Sequence, residues 1–271
     1  MKTPIKLIAL VMMLFPITLS AQSVDDIAVP LSNPGQPGKL QVGLIHGDIH
    51  IVGYDGQDVL ISYDDDERDG RSNRRNNSNR RGLRRIPNTS VGLEASERNN
   101  EVRISVSGVP KSIDLEIKVP RNFSLKVSTV NDGDITIENV NGEFEVSNVN
   151  GDVEMTNMGG SALVNTVNGD IDIDFTSIDE DAPMSFTTVN GDIDLAVPAS
   201  AKFDVKMKTE WGEIFTDFEF EAVRNNQGPR TSRRSGQYKV TVDKWVTGAI
   251  NGGGPEYLFK SLHGDLIIRK N

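Results

Sequence analysis

The chain has 271 residues, enough for one large domain or two small ones. Hydrophobic residues make up 37% of it, which can fill a core but is too little for a protein with several membrane spans. The formal net charge of −10 excludes a generally basic protein that coats nucleic acid. With no Cys and three His, disulfides, thiolate metal sites and Cys nucleophiles are excluded, and little scope remains for His-based catalysis or a zinc site.

The N-terminus, residues 1–21, predicts a secretory signal. Lys2 and Lys6 supply the positive start, Leu7 to Leu19 is an apolar run, and Leu19-Ser20-Ala21 fits a cleavage site. The run is shorter than the roughly 20 residues that span a bilayer, so we expect no transmembrane segment in the mature chain. We expect a bacterial protein that is exported to the periplasm or the cell surface and carries no lipid on an N-terminal Cys.

The rest of the chain divides by composition. Residues 22–37 form a lead-in segment containing Pro and Gly, and residues 38–271 form one β-strand-repeat domain. Two polar inserts interrupt that domain, at 64–100 and at 223–237. The strands after the second insert are of the kind that caps a solenoid by covering its open sheet edges.

A short repeat dominates the middle of the chain. The unit Val-Asn-Gly-Asp-Ile recurs, and glycines fall every nine residues, at 133, 142, 151, 160 and 169. Asn-Gly favours a turn, because both residues tolerate positive φ. After the turn, apolar and acidic residues alternate, as in Ile171 and Ile173 against Asp170 and Asp172. Alternation with a period of two predicts half-buried strands.

The spacing favours a β-solenoid, in which each turn of the chain, here called a coil, stacks on a copy of itself. Two nine-residue halves give an 18-residue coil, with Gly133, Gly151 and Gly169 along one edge and Gly142 and Gly160 along the other. Longer coils would bulge at this second edge. The predicted fold is therefore an all-β, single-domain β-solenoid with coils of about 18–22 residues, and the alternative is an antiparallel β-sandwich. The predicted interior is aliphatic and consists of Ile135, Ile137, Phe144, Val146, Val153, Met155, Val164, Ile171, Ile173, Ile193 and Leu195.

The recurrent Val-Asn-Gly-Asp-Ile unit resembles the bacterial "putative adhesin" β-strand-repeat family and related envelope domains of Bacteroidetes-type proteins. Residues 101–222 carry the resemblance best, including the Ile-Lys-Val-Pro run that ends at Pro120. The resemblance implies an exported, solenoid-like domain in a cell-envelope setting, and it implies no catalytic residues.

Four aspartates, Asp134, Asp152, Asp170 and Asp192, hold the same place after the glycine of one edge. Neighbouring coils lie about 4.8 Å apart, so like charges there repel by roughly 1 kcal/mol in a water-like dielectric. One interpretation is solvated, outward aspartates. The other is a structural calcium site, as in the Gly-rich nonapeptide β-roll, although that motif is denser in glycine. The matching column Asn150, Asn168 and Asn190 is either a ladder of amides or simply turn propensity.

The charge is split along the chain. Between Ser112 and Ala222, 23 acidic and 6 basic residues give a balance of −17. Two stretches are basic instead, and their arginines are the candidate binding residues: Arg71, Arg74, Arg75, Arg80, Arg81, Arg84, Arg85, Arg230, Arg233 and Arg234. They could capture an anionic envelope polymer by bidentate contacts, contact an envelope protein, pack against the acidic body of the same or a neighbouring molecule, or have no partner. Nucleic acid is not expected as a partner, because no aromatic residues interleave with the arginines.

Catalysis is not expected. The outward acids follow the repeat, and no Gly-x-Ser-x-Gly, His-Glu-x-x-His or phosphate-binding loop is present. His46 and His50 share a face with Asp48, which allows a weak metal site at most. The sequence therefore predicts a non-catalytic, exported envelope protein without a cofactor, with a binding, scaffold or adhesin-like role. The alternatives are a polysaccharide-active β-helix enzyme and a calcium-binding β-roll.

Overall fold

The computed structural model describes residues 27–65, 92–107, 112–220, 223–225, 230–234, 237–241 and 245–271. These residues form 22 strands and no helix, so no helix among them is long and apolar enough to cross a membrane. The first half contains β1 (Ile27–Pro30), β2 (Gly38–Gly43), β3 (Ile49–Tyr54), β4 (Asp58–Asp65), β5 (Gly92–Arg98), β6 (Glu101–Ser107), β7 (Ile113–Pro120), β8 (Phe123–Ser128), β9 (Ile135–Glu138), β10 (Asn141–Ser147) and β11 (Val153–Asn165). The second half contains β12 (Ile171–Ile178), β13 (Met184–Thr187), β14 (Ile193–Val197), β15 (Phe203–Lys208), β16 (Ile214–Thr216), β17 (Val223–Asn225), β18 (Arg230–Arg234), β19 (Gln237–Thr241), β20 (Trp245–Ile250), β21 (Glu256–Lys260) and β22 (Leu266–Lys270).

The strands build two facing sheets that run the length of a solenoid. Sheet 1 has the order β5-β6-β2-β8-β10-β11-β13-β21-β15-β20-β17, and it is parallel from β6 to β15. Sheet 2 has the order β1-β4-β7-β3-β9-β11-β12-β14-β22-β16, and it is parallel from β7 to β16. Long parallel ladders are the mark of stacked coils, so the predicted β-solenoid is confirmed and the antiparallel sandwich is wrong.

The register confirms the length of a coil. Phe144 pairs with Ala162, and Val153 pairs with Ile171, so both faces repeat at the coil length that the glycine spacing predicts. Ile171 pairs with Ile193, and the additional residues of this coil form a loop at 179–183, at the edge where the sequence places a bulge.

The coils do not stack in chain order. The coil 38–54 lies between coils 101–120 and 123–138, because β2 pairs with β6 and β8 while β3 pairs with β7 and β9. The coil 256–270 lies in the same way between coils 184–197 and 203–216. The sequence suggested flanking strands that cap the stack. Units this alike can pair with one another in any order, so the repeat itself does not say which coils are neighbours.

The interior agrees with the predicted alternation. The eleven residues predicted for the core are all buried, and none is more than 2% exposed. Towards the last coils the aliphatic columns give way to aromatic rings, with Phe203 stacked on Tyr257 at 4.3 Å between centroids and Phe186 at 5.2 Å from Phe259. The core is thus continuous from coil 101–120 to coil 203–216.

The two ends of the stack are closed differently. At the first end, antiparallel β4 and β1 extend sheet 2, and antiparallel β5 extends sheet 1. At the second end, antiparallel β20 and β17 extend sheet 1 alone. Strand β5 lies inside the stretch assigned to the first polar insert, and β18 pairs with β19 as a separate hairpin in the region of the second.

Candidate functional site: the Asn-Gly-Asp edge

The edge at which the chain passes from sheet 1 to sheet 2, called here the Asn-Gly-Asp edge, brings the repeated turn residues into columns. Asn150 is bridged to Asn168, Asn168 to Asn190, and Asn190 to His263, which is bridged in turn to Trp211. The motif copies thus lie side by side along the solenoid axis.

Close approach of neighbouring coils explains the glycine column. A Cβ at Gly169 would lie 2.0 Å from the carbonyl oxygen of Gly151, and one at Gly191 would lie 2.0 Å from that of Gly169. Gly212 and Gly264 repeat the same contact, at 2.0 and 1.9 Å from the carbonyl oxygen of the adjacent coil. Only glycine fits such a column, whatever the dihedral angles of the turn.

The acidic column is a ladder of hydrogen bonds. The amide N–H of Asp170 donates to Oδ1 of Asp152 at 2.8 Å, and the amide of Asp192 donates to Oδ1 of Asp170 at 2.8 Å. The same bond occurs at seven steps along the edge, at 2.7–3.0 Å, and runs in the order Asp114, Asp48, Asp134, Asp152, Asp170, Asp192, Asp265 and Glu213. Each carboxylate except that of Glu213 therefore satisfies an amide that the curved turn directs away from the strand ladder.

This geometry gives the predicted calcium residues another role. Asp134, Asp152, Asp170 and Asp192 each use one carboxylate oxygen for the adjacent coil. In the described part of the chain, no group of three or more His, Asp or Glu side chains is arranged to hold a metal ion. Calcium at these four residues stays a prediction, and the amide ladder already accounts for the recurrence of Asp.

The Asn column forms the amide ladder that the sequence left open. Nδ2 of Asn168 donates to Oδ1 of Asn150 at 2.8 Å, and Nδ2 of Asn190 donates to Oδ1 of Asn168 at 2.7 Å. The column continues into two aromatic rings, since His263 and Trp211 stack with centroids 6.3 Å apart and planes 7° from parallel.

A third column, of buried polar side chains, was missed in the sequence. The hydroxyl of Thr188 donates to the carbonyl of Gly169 at 3.2 Å, and the hydroxyl of Ser261 donates to that of Gly191 at 3.1 Å. The buried members of this column are Thr129, Asn148, Thr166, Thr188 and Ser261, and the half-buried Thr209 continues it in the last coil. The signal was present, because a Thr, Ser or Asn stands three residues before the glycine in all but the first of these units.

An apolar ridge runs beside the Asn column. Ile45, Val130, Val167, Val189 and Leu262 point outward and are between 38 and 65% exposed. Trp211, at the last coil, is 73% exposed. The Asn-Gly-Asp edge therefore offers amides, carboxylates and an apolar ridge in parallel lines, although most of its polar groups are used between coils.

The outer face of sheet 2 is acidic. Asp172 lies in register with Glu154 and Asp194, and burial followed by the charge of Asp194 raises its pKa above the ordinary value for an aspartate. Arg269 partly offsets this repulsion, with Nε 2.7 Å from Asp194 Oδ1 and a terminal nitrogen 3.6 Å from Asp172 Oδ1. The raised pKa of Asp172 thus has two structural causes, burial first and the neighbouring like charges second.

The remaining candidate residues are placed as follows. Arg71, Arg74, Arg75, Arg80, Arg81, Arg84 and Arg85 lie outside the described residues. The backbone of Arg230, Arg233 and Arg234 lies in β18, opposite β19, and their side chains are outside the description. His50 Nε2 lies 3.4 Å from Glu138 Oε1, an ion pair only when the imidazole is protonated.

Comparison with known proteins finds a family model that matches part of this solenoid. Residues 121–250 match the family model described as Toastrack DUF4097, which confirms the resemblance to the "putative adhesin" β-repeat family. The coil 38–54 and strands β6 and β7 precede the matched segment, and the coil 256–270 follows it. A comparison with curated proteins finds no match.

Two solved structures are similar over most of their length. A putative cell adhesion protein from Clostridium sporogenes has 11% identity and a TM-score of 0.39, over 91% of this chain and 99% of that one. A putative adhesin from Bacteroides fragilis has 11% identity and a TM-score of 0.37, over 93% of this chain and 98% of that one. These similarities are too remote to carry a ligand or partner to this chain.

Proposed function

We propose that this chain, of which residues 121–250 match the Toastrack DUF4097 family model, is a non-catalytic, exported envelope protein with a binding, scaffold or adhesin-like role. The acidic ladder is the observation that supports this proposal most. Its seven bonds use the repeated carboxylates to hold coils together, where an enzyme would keep an acid and a base free.

The proposed ligand is an anionic polymer of the bacterial envelope, held by the arginines at 71–85 and 230–234. The body that carries these segments is acidic, with a balance of −17 between Ser112 and Ala222. An anionic polymer is repelled by that body, so contact is confined to the arginine-rich segments. Guanidinium groups suit carboxylate and phosphate, because they make two parallel hydrogen bonds to each.

The test is co-sedimentation of the chain from residue 22 onwards with isolated bacterial envelopes across a salt series. One variant has the seven arginines at 71–85 changed to Gln, and its matched control has them changed to Lys. We expect binding that weakens with salt, is lost in the Gln variant and is reduced in the Lys variant, because Lys keeps the charge and loses the bidentate contact. Equal binding by all three proteins would contradict the arginine assignment, and no binding at any salt concentration would contradict the envelope role.

A further inference from the structure

The second end of sheet 2 finishes in an unpaired strand. Among the described strands, β16 pairs only with β22, whereas sheet 1 continues past the same coil into β20 and β17. The side chains at this end are apolar and accessible, with Trp211 73% and Phe215 46% exposed. Ile214 is only half-buried, although Leu266, at the same position of the adjacent coil, is fully buried.

The core behind this strand is closed, so the open feature is the strand edge itself. Phe218 is 6% exposed and meets the ring of Phe203 edge-on, with centroids 6.2 Å apart. The ammonium of Lys270 lies 5.0 Å from the centre of the Phe218 ring. Exposure at Trp211 and Phe215 is therefore not the exposure of an unfilled interior.

The direction of the hydrogen bonds in the ladders shows which polar groups of β16 face away from the described coils. Each acid of the column accepts an amide from the coil nearer this end, and Glu213 is the last member, with no described coil beyond it. The glycine carbonyls follow the same rule, since Gly264 accepts the hydroxyl of Thr209 at 2.9 Å. The carbonyl of Gly212 is the next member of that series of glycine carbonyls.

The backbone amides point the same way. The amides of Gly264 and Leu266 donate to the carbonyls of Trp211 and Glu213, on the coil nearer this end. By the same alternation, the amides of Gly212 and Ile214 point outward from the end of sheet 2. A strand laid beside β16 would thus meet amide donors, carbonyl acceptors and the Glu213 carboxylate in the spacing that the chain uses between its own coils.

We propose that this edge binds an extended segment of a partner protein, which adds to sheet 2 as its next parallel strand. The chain's own ladders define the chemistry of that segment. It carries a glycine beside Gly212, where a Cβ would meet the carbonyl oxygen, and an aliphatic residue two positions later to cover Ile214. The partner is not a second copy of this end, because Glu213, Asp217 and Glu219 are exposed there and would face the same charges.

The probe is a synthetic peptide with the sequence of residues Leu44–Tyr54, which contains the Gly-Asp-Ile unit and has one acidic residue. Its matched control has the change Gly47→Val. Binding to the protein is measured by fluorescence anisotropy of the labelled peptide, together with NMR line broadening of the indole N–H signals. We expect the Gly47 peptide to bind and the Val control to bind at least tenfold more weakly, with broadening at Trp211 and not at Trp245.

The matched protein variants are Ile214→Pro and Ile214→Val. Proline removes the outward amide and leaves the carbonyls of Trp211 and Glu213 bonded to β22, so both variants are expected to melt close to the parent. We expect the Pro variant to lose at least tenfold in peptide affinity and the Val variant to keep it. Three results would overturn the proposal: no binding of the peptide up to millimolar concentration, equal binding of both peptides, or equal affinity of both variants.

Sedimentation velocity of the protein alone separates the partner strand from self-association. The proposal expects a monomer across the concentration range of the binding assay. A dimer that Ile214→Pro abolishes would assign the edge to a second copy and overturn the proposal. The envelope-binding test depends on the arginines and not on β16, so failure of one proposal leaves the other intact.

Discussion

The two turn edges of this solenoid obey different rules. At the Asn-Gly-Asp edge, glycines stack at contact distance and three columns of side chains bond across the coils. At the opposite edge, the side-chain bonds between turns are scattered and form no continuous column among the described residues, as between Arg121 and Asp55 at 2.7 Å and between Asn157 and Asn139 at 3.3 Å. The opposite edge carries the loop at 179–183 and a second turn at 198–202.

This difference between the two edges shows at which edge a coil can take up additional residues. An additional residue at the Asn-Gly-Asp edge must preserve all three columns, and the one example shows how. Asp132 is inserted before Gly133 and adopts a φ of 47°, and the hydroxyl bond from Thr129 to Gly47 stretches to 3.4 Å, the longest in its column. The opposite edge has no such columns to preserve, so whole loops are accommodated there.

The largest expected effect comes from filling the glycine column. Gly169→Val would force a side chain into the carbonyl of Gly151, which lies 2.0 Å from the Cβ position. Separation of the coils breaks bonds in all three columns, so we expect a loss of more than about 4 kcal/mol in the free energy of unfolding. The control at the opposite edge is Glu180→Val, in an exposed turn, with an expected change within about 0.5 kcal/mol. Chemical denaturation followed by circular dichroism measures both, and similar losses would refute the contrast.

The second largest loss of stability is expected in the column of buried polar side chains. Thr188 is 5% exposed and donates to Gly169, so Thr188→Val removes the hydrogen bond of a buried hydroxyl, leaves the Gly169 carbonyl without this donor and should cost about 1–3 kcal/mol. The matched control is Thr176→Val, because Thr176 donates to the carbonyl of Met158 at 3.0 Å from an exposed position. Water can replace that bond, and we expect a loss under about 0.5 kcal/mol. Thermal melts that rank the two variants equally would remove burial as the explanation.

The acidic ladder should contribute less to the free energy of unfolding, because its members are exposed. Asp170→Ala removes the acceptor for the amide of Asp192 and should cost about 1 kcal/mol. Asp170→Asn keeps an oxygen in place and relieves the repulsion between neighbouring acids, so it should cost clearly less than the Ala change. If Asn is as damaging as Ala in urea unfolding, the charge itself is what holds the coils.

The smallest effect is expected at Asp172, which lies on the outer face of sheet 2 and not at the Asn-Gly-Asp edge. The pKa of Asp172 is raised by burial and by Asp194, so the folded chain holds this proton more tightly than the unfolded chain. Its ionisation therefore lowers stability above the folded pKa, and that loss disappears as the pH falls towards the ordinary aspartate value. Asp172→Asn should melt slightly above the parent at pH 7 and with the parent near pH 3. A difference that grows as the pH falls would reverse the sign and contradict the cause given.

The sequence was sufficient to predict the features that follow from a short repeat along the chain. Alternation identified the buried columns through Ile171 and Ile173, and the nine-residue glycine spacing gave the length of a coil. It was insufficient for pairings between distant segments, because the Gly-Asp unit at 47 and the one at 264 are as compatible with one coil as with another. The column that contains Thr188 could have been predicted from the sequence, but the more regular Asn-Gly-Asp motif drew attention away from it. The role of Asp170 could be assigned only from the geometry of the turn.

The interleaved stacking fixes the order in which the domain can be completed. The coil made by residues 38–54 has no lower and upper neighbour until residues 101–138 are present, and the coil 203–216 has no place on sheet 2 until residues 256–270 arrive. The stack therefore cannot grow coil by coil from the N-terminus, and its final assembly awaits the last strand of the chain. Loss of the segment 256–271 would remove an inner layer and not an end. A premature stop codon late in the gene should thus leave a chain that cannot close.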